Sequence, residues 1–482
     1  MADSPNQLID APHSSDASPE ASTSLWADIK ESIRGSHRSY TTGPIGRSIL
    51  LLAIPMVLEM MMESIFAVVD IFWVSHLGTD AAATVGLTES LLTLIYALAI
   101  GLSIGAMAMI ARRIGEQNPD GAARAAVQAI AIALLVSITI GIVATPFAPR
   151  LLALMGGSPW VIEHGVGFTR IMLACNFTVV LLFMVNAIFR GAGDAAIAMR
   201  TLWIANWINI ALGPCLIFGL GPFPKLGIVG AAIATNIGRG TGALIALVKL
   251  FRSGGRFQIG WRHIRIEPAI MARLVRLSAS ATFQVFIGMA SWIGLVRIIS
   301  SFGSNAVAGY TFGIRVILFA LLPSWGMANA AATMVGQALG AKNPERAERA
   351  VWRAGFYNMI FLGIVGILFI VFAPQIIWFY TDDPAVAQYG VDCLRIVACG
   401  FLFYAYGMVL TQSFNGAGDT WTPTIINLFI FWLWEIPLAY VLSTVMGMGP
   451  RGVFIAMTVA FSSLAVVSAA LFRRGRWKRK LV

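Results

Sequence analysis

Gly191-Ala192-Gly193-Asp194 recurs as Gly416-Ala417-Gly418-Asp419 in the second half of the chain. The same offset links Gly78 with Gly303, Gly115 with Gly340, Asn118-Pro119 with Asn343-Pro344, and Phe147-Ala148-Pro149 with Phe372-Ala373-Pro374. Pro159 with Pro384 and Arg170-Ile171 with Arg395-Ile396 obey it too. So many turn and loop residues at one spacing mark an internal duplication, and the chain is read as two copies of one unit.

Between these residues lie apolar runs of about 20 residues or more, each long enough to cross a hydrocarbon layer about 30 Å thick. They predict twelve spans, near 47–74, 82–110, 123–146, 163–189, 197–220, 226–249, 272–300, 306–335, 350–373, 387–414, 422–447 and 452–472. Helices satisfy their own backbone groups, whereas spanning strands would show shorter, alternating segments. Six spans per copy is an even number, so both copies enter from one side and are related by an axis along the membrane normal. The expected class is an all-α polytopic membrane protein with two parallel-repeat six-helix lobes, 43–250 and 272–472. Composition agrees: 58% of the 482 residues are hydrophobic and 12% are charged, where a soluble chain has about 25% charged.

The formal charge is +11, but the basic residues fall between spans, as topology signals do, and no nucleic-acid partner is expected. An inside N-terminus gathers Arg47, Arg112, Arg113, Arg124, Arg190, Arg200, Lys342, Arg346, Arg349 and Arg353 on one side. Outside loops keep only Arg150, Lys225 and Arg451, beside Asp382 and Asp383. Both termini are therefore expected in the cytoplasm, with the chain in the cell inner (plasma) membrane and in contact with its lipids.

Residues 1–42, rich in Ser, Ala, Pro and Asp, predict a disordered cytoplasmic tail. Within it Trp26 to Arg38 reads either as a short amphipathic surface stretch or as a plain linker. Residues 251–271, with Arg252, Arg256, Arg262 and Arg265, read as a cytoplasmic bridge between the lobes, and 473–482 as a basic cytoplasmic tail. Cys175, Cys215, Cys393 and Cys399 lack disulfide or metal-ligand spacing.

Glu59, Glu63 and Asp70 lie on the first span within about 40° of one line. Carboxylates at that depth cost several kcal/mol unless they are paired, protonated or beside water, so the stripe reads as the wall of an interior cavity or ion path, or as a structural salt-bridge network. Glu89 enters the second span to about the depth of Glu63. These four are the candidate ion-coupling residues. The second copy replaces them with Gln284, Gly288, Leu295 and Ile314, so coupling is expected to be asymmetric.

The candidate substrate-cavity residues are Gln284, Arg315, Tyr96, Phe286, Trp292 and Glu435. Aromatic rings beside carboxylates suit planar organic cations, at about 0.5–2 kcal/mol per cation–π contact. Arg297 and Arg315 either neutralise Glu89 or Asp70 across the lobes or extend to the headgroups. Pro55 precedes the acidic stripe and reads as a static kink or a mobile bend. No His, Cys or Ser constellation, HExxH, GxSxG or phosphate-cradling pattern occurs, which argues against an enzyme and against ATP-driven pumping within this chain. A carrier is the reading that remains.

Thr41-Thr42-Gly43-Pro44-Ile45, Leu52-Ala53-Ile54-Pro55, Val69-Asp70-Ile71-Phe72-Trp73-Val74 and His76-Leu77-Gly78 are similar to the first span of the MATE (multidrug and toxic compound extrusion) family. Phe189 to Asp194, Leu216 to Gly219, Gly227 to Thr235 and Ile436 to Tyr440 extend the resemblance over nearly all of 41–472. It implies secondary efflux of organic, mostly cationic and aromatic compounds by antiport with protons or sodium ions, through two lobes arranged in a V. It also implies a central coupling role for Asp70, the one position considered for a metal ion, as bound sodium. No cofactor is expected, the partners are small organic substrates, and the default state is a monomer. The runner-up reading is a flippase or exporter of lipid-linked or anionic molecules, with a cavity dominated by Arg239, Arg315 and Arg297. The chain departs from many relatives at Gly213-Pro214, where they hold an acid, and at Asn415, where arginine is usual. It departs from the NorM-like branch at Gln284 and across the carboxylate-free run Gly400 to Phe414.

Overall fold

Asn and Pro at the starts of the apolar runs do what their chemistry allows. Asn118 accepts a hydrogen bond from the Gly121 amide, and Asn343 accepts one from Arg346, each with proline at the first helical position. A computed structural model describes residues 25–36, 39–252 and 255–480. The first half comprises α1 (Leu25–Arg34), α2 (Ile45–Ser75), α3 (Thr79–Gly115), α4 (Pro119–Ala144), α5 (Ala148–Leu154), α6 (Pro159–His164), α7 (Val166–Ala174), α8 (Asn176–Ala192), α9 (Ala195–Phe218) and α10 (Ile228–Phe251). The second comprises α11 (Pro268–Ser300), α12 (Ser304–Gly340), α13 (Pro344–Trp378), α14 (Pro384–Ala398), α15 (Phe401–Gly416), α16 (Trp421–Asn427), α17 (Ile436–Tyr440) and α18 (Pro450–Arg473). Among the described residues there is no strand.

Among the described residues ten helical segments are long and apolar enough to cross a membrane, and two bent pairs, each taken as one span, complete twelve. The spans expected as continuous near 163–189 and 387–414 are these pairs, α7 with α8 at 41° and α14 with α15 at 61°. At the first bend Asn176 donates to the Leu173 carbonyl at 2.6 Å, an acceptor in the last turn of α7, and to the Ser137 carbonyl of α4 at 3.0 Å, which ties the bend to its neighbour. The eleventh span, Trp421–Val445, is π-helical at Leu428–Glu435 and Val441–Val445. Pro437 lies between them without an amide hydrogen to donate, and the hydrogen-bond register widens on both sides of it. Pro55, by contrast, sits inside the unbroken α2.

The duplication is visible in the backbone. Gln117 and Lys342, which obey the repeat offset, are the two non-glycine residues with positive φ among the described residues, at 55° and 57°. The offset is not constant to the end: Gly227 and Gly449, which precede α10 and α18, have φ of 56° and 60° yet lie slightly closer together in sequence. The connection before the last helix is shorter in the second copy.

The lobes exchange partners at one end. α3 packs on α11 and α12 packs on α2, at close backbone crossings: Gly101 lies on Thr282, and Gly326 lies on Met56 and Val57. Gly115 and Gly340 cross directly, so a side chain at either would strike the Gln337 or the Arg112 carbonyl. Thr333 donates to the Arg190 carbonyl at 3.1 Å and Gln337 to the Gly191 carbonyl at 3.0 Å, tying the second lobe to the end of α8. Toward the opposite end the lobes part. A side chain at Gly86 or Gly288 would meet open space, and Glu89 and Arg315 are exposed.

The N-terminal arm departs from the expected disordered tail. Residues 25–34 form α1, Arg47 pairs with Asp28 at 2.6 Å, and Arg346 grips the carbonyls of Tyr40, Thr42 and Gly43 at 2.7–2.9 Å. These contacts supply the ordering energy that composition alone does not show. Residues 1–24 and 37–38 lie outside the described residues. Tyr40 donates to the Gly193 carbonyl at 3.3 Å beneath the Arg256 guanidinium; burial pushes its hydroxyl pKa up, against the pull of Arg256. At the other terminus Trp477 is fully buried and stacks on Phe472 at 4.5 Å. Lys478 reaches Glu348, Lys480 reaches Asp419, and Arg112 of the first lobe donates to the Lys480 carbonyl. The segments around Tyr40 and Trp477 thus fasten the closed end.

Candidate functional site

Directly above the closed end, the lobes enclose a cavity of about 190 Å³. The α2 stripe supplies Glu59 and Glu63, and α8 supplies Asn186 and Arg190. From the second lobe come Trp325, Asn329 and Gln412. Most of the remaining wall is apolar, including Phe183, Met60 and Met107.

Glu59 is 1% exposed and its Oε1 accepts from Arg190 at 2.7 Å and from Asn186 at 3.4 Å. Its Oε2 and the Arg190 Nε are buried without hydrogen-bond partners among the described residues. A buried pair of this kind holds because removing either charge strands the other.

One helical turn away, Glu63 accepts from Arg239 at 2.8 Å and from Asn206 at 3.2 Å. Arg239 also lies over the Phe66 ring at 5.1 Å. Asp70 is half-buried, makes no hydrogen bond or ion pair among the described residues, and lies in electrostatic reach of Arg239 and Glu89. Glu89 in turn feels Arg315 from the opposite lobe, and Tyr96 sits within the field of Glu63, Asp70, Glu89 and Arg239. The structure therefore brings Glu63, Asp70, Glu89, Tyr96 and Arg239 into one first-lobe cluster, with Arg315 facing it.

Of the residues singled out from sequence, only Glu59 and Glu63 line the cavity. Gln284 is buried in α11, its Oε1 without a partner among the described residues, and Phe286 and Trp292 are half-buried on the same helix. Glu435 is buried within the second lobe. Among the described residues no cluster of His, Cys, Asp and Glu is suited to hold a metal ion.

Arg190, Asn186, Asn329 and Gln412 did not stand out in the sequence. Arg190 reads as a topology charge because it borders a predicted loop, yet it turns into the protein. The available signal was the repeat itself: the second copy places Asn415 at the Arg190 position and Gln284 at the Glu59 position. One copy thus holds an acid and a base where the other holds two amides. In the second lobe Asn415 donates to Gln412 at 2.6 Å and Gln412 to Asn329 at 3.1 Å, a neutral chain facing the charged pair across the cavity.

Comparison with known proteins follows the same two halves. The MatE family model matches residues 55–215 and 279–441. The chain is 26% identical over 443 residues to a probable multidrug resistance protein, YoeA, of Bacillus subtilis, covering 91% of this chain and 95% of that protein. It is 24% identical to an FAD transporter of Shewanella oneidensis, covering 90% and 95%. Among solved structures it matches an outward-facing conformation of a multidrug resistance MATE family transporter with a TM-score of 0.85 and 28% identity, over 92% of this chain and 98% of that one.

Proposed function

The chain belongs to the MatE family, whose members are transporters and not enzymes, and we propose that it exports small organic compounds by ion-coupled antiport across the plasma membrane. The supporting observation is a cavity between two lobes, closed at one end, whose wall carries the Glu59–Arg190 pair and the first of the linked carboxylates. The closed end carries the Arg-rich loops, so we assign it to the cytoplasm, with both termini there and the V open to the outside.

In this mechanism a proton or a sodium ion binds the first-lobe carboxylates, Asp70 with Glu63, Glu89 and Glu59, in the outward-open state. It displaces a cationic, aromatic substrate that had been balanced by Glu59 and packed against Trp325 and Phe183. Coupling requires that the ion bind the two states unequally, since equal affinity shifts nothing. A monomer suffices, because both lobes and the cavity come from one chain.

Transport of an ethidium-like cation in vesicles, under opposed sodium and pH gradients, tests this reading. Asp70→Asn is expected to abolish ion-driven export with membrane insertion unchanged; full export by that variant removes Asp70 from the coupling role. A second reading, export of anionic or lipid-linked molecules, is favoured by Arg190 on the cavity wall, and the FAD transporter relative is consistent with it. Under that reading a cation gives no gradient-driven flux and an anionic probe does.

A further inference from the structure

Glu435 stands apart from the first-lobe cluster. It is 1% exposed, closes the π-helical stretch Leu428–Glu435, and makes no hydrogen bond or ion pair among the described residues. The repeat shows what it replaces. Trp203 donates its indole N–H to the Leu58 carbonyl at 3.1 Å, and Trp432 donates to the Ile287 carbonyl at 3.1 Å. Donor and acceptor of the first contact are displaced equally in the second, by one helical turn more than the main offset. In that register Glu435 answers to Asn206, the donor to Glu63, while Glu63 itself answers to Trp292 there and to Gly288 at the main offset, neither of them an acid. In the register of the last helix Arg239 answers to Phe461, which stacks on Tyr404 at 4.1 Å. The second lobe therefore keeps a carboxylate, moves it to the opposite helix, and discards its arginine.

The groups facing Glu435 are neutral. Tyr310 of α12 and Tyr404 of α15 lie in its electrostatic reach, and the Tyr310 hydroxyl is buried without a hydrogen-bond partner among the described residues. Cys393 of α14 lies beside Tyr310. On α11, where Gly294 packs against Ile436 beside Glu435, the next titratable side chain is the exposed Arg297. On α18 it is the exposed Arg451, held by Asp392 at 2.7 Å. No cation among the described residues offsets the carboxylate. An ionised carboxylate so placed costs several kcal/mol, and one carboxylate with two phenols is a poor shell for a sodium ion.

We propose that Glu435, with Tyr310 and Tyr404, is a proton-binding site of the second lobe, distinct from the first-lobe carboxylates. Its carboxylate takes up one proton to become the neutral acid in the state described here, and it releases that proton to water when the eleventh span moves. This goes beyond the proposed antiport, which runs on the first lobe alone.

Infrared difference spectroscopy of the full chain in lipid nanodiscs, titrated from acid to alkaline pH, tests the site without any transport assay. The protonated carboxyl C=O band is expected in the wild type, to fall as pH rises, to vanish in Glu435→Gln and to survive in Asp70→Asn. Tyr310→Phe should displace its titration. Glu435→Asp, the conservative variant, should restore a titrating band and guards against misfolding of the amide variant. A Glu435→Gln spectrum identical to wild type overturns the site, as does a band that no pH change within the folded range alters. Because the Asp70→Asn export assay is independent, failure of either idea leaves the other standing.

Discussion

The guanidinium of Arg190 lies 2.7 Å from the carboxylate of Glu59, and the same two places in the second copy hold Asn415 and Gln284. The duplicated scaffold thus folds around either a charged pair or two amides. Charge here belongs to one lobe and to one task.

That relationship sets an order of stabilities. Arg190→Asn or Glu59→Gln alone strands a buried charge, at a cost of about 3–5 kcal/mol. The double variant copies the second lobe and should recover most of the loss. Thermal unfolding of the four proteins in detergent checks this, and a double variant as unstable as the worse single one contradicts it. The double variant should insert and fold but export nothing under an ion gradient.

Glu63 is held by two donors, Arg239 and Asn206, and faces the cavity. Glu63→Gln removes a charge-assisted interaction of about 1.5–3 kcal/mol, so apparent affinity for a cationic substrate should fall about tenfold to a hundredfold. Equilibrium binding of a fluorescent cation measures it. Unchanged affinity would confine Glu63 to holding Arg239.

The crossing of Gly115 with Gly340 leaves no room for a methyl group. Gly115→Ala should cost about 1–3 kcal/mol through overpacking and shift the population toward states in which the closed end has opened. Spin-label distances between α3 and α12 at that end would show the shift. Unaltered distances and stability together would mean that the crossing yields easily.

Trp477 is fully buried against Phe472. Trp477→Ala should cost about 3–5 kcal/mol locally and expose Arg473 to Lys480 to trypsin in folded protein. A tail equally protected in the variant would show that Lys478 and Lys480 hold it without the indole.

Much of the fold was legible because duplication and apolar length are properties of the chain itself. Residue spacing carried the twelve spans, the two copies and the α2 stripe. The bends at Cys175 and Gly400 were not legible; the first is held by Asn176 through a contact with a helix distant in sequence. Arg190 was hidden for a related reason. An arginine beside a loop looks the same whether it points to water or folds back on Glu59, and only packing decides. Order in α1 likewise comes from Arg47, and order in Tyr40 to Gly43 from Arg346, neither of which composition of the tail can reveal.

The grip of Arg346 on the backbone of Tyr40 to Gly43, matched by the seating of Trp477, makes two segments outside the spans part of the closed end. A reporter or affinity handle fused close to Trp477 would load the joint that fastens the closed end. Turnover numbers from tagged protein would then report the tag as much as the carrier.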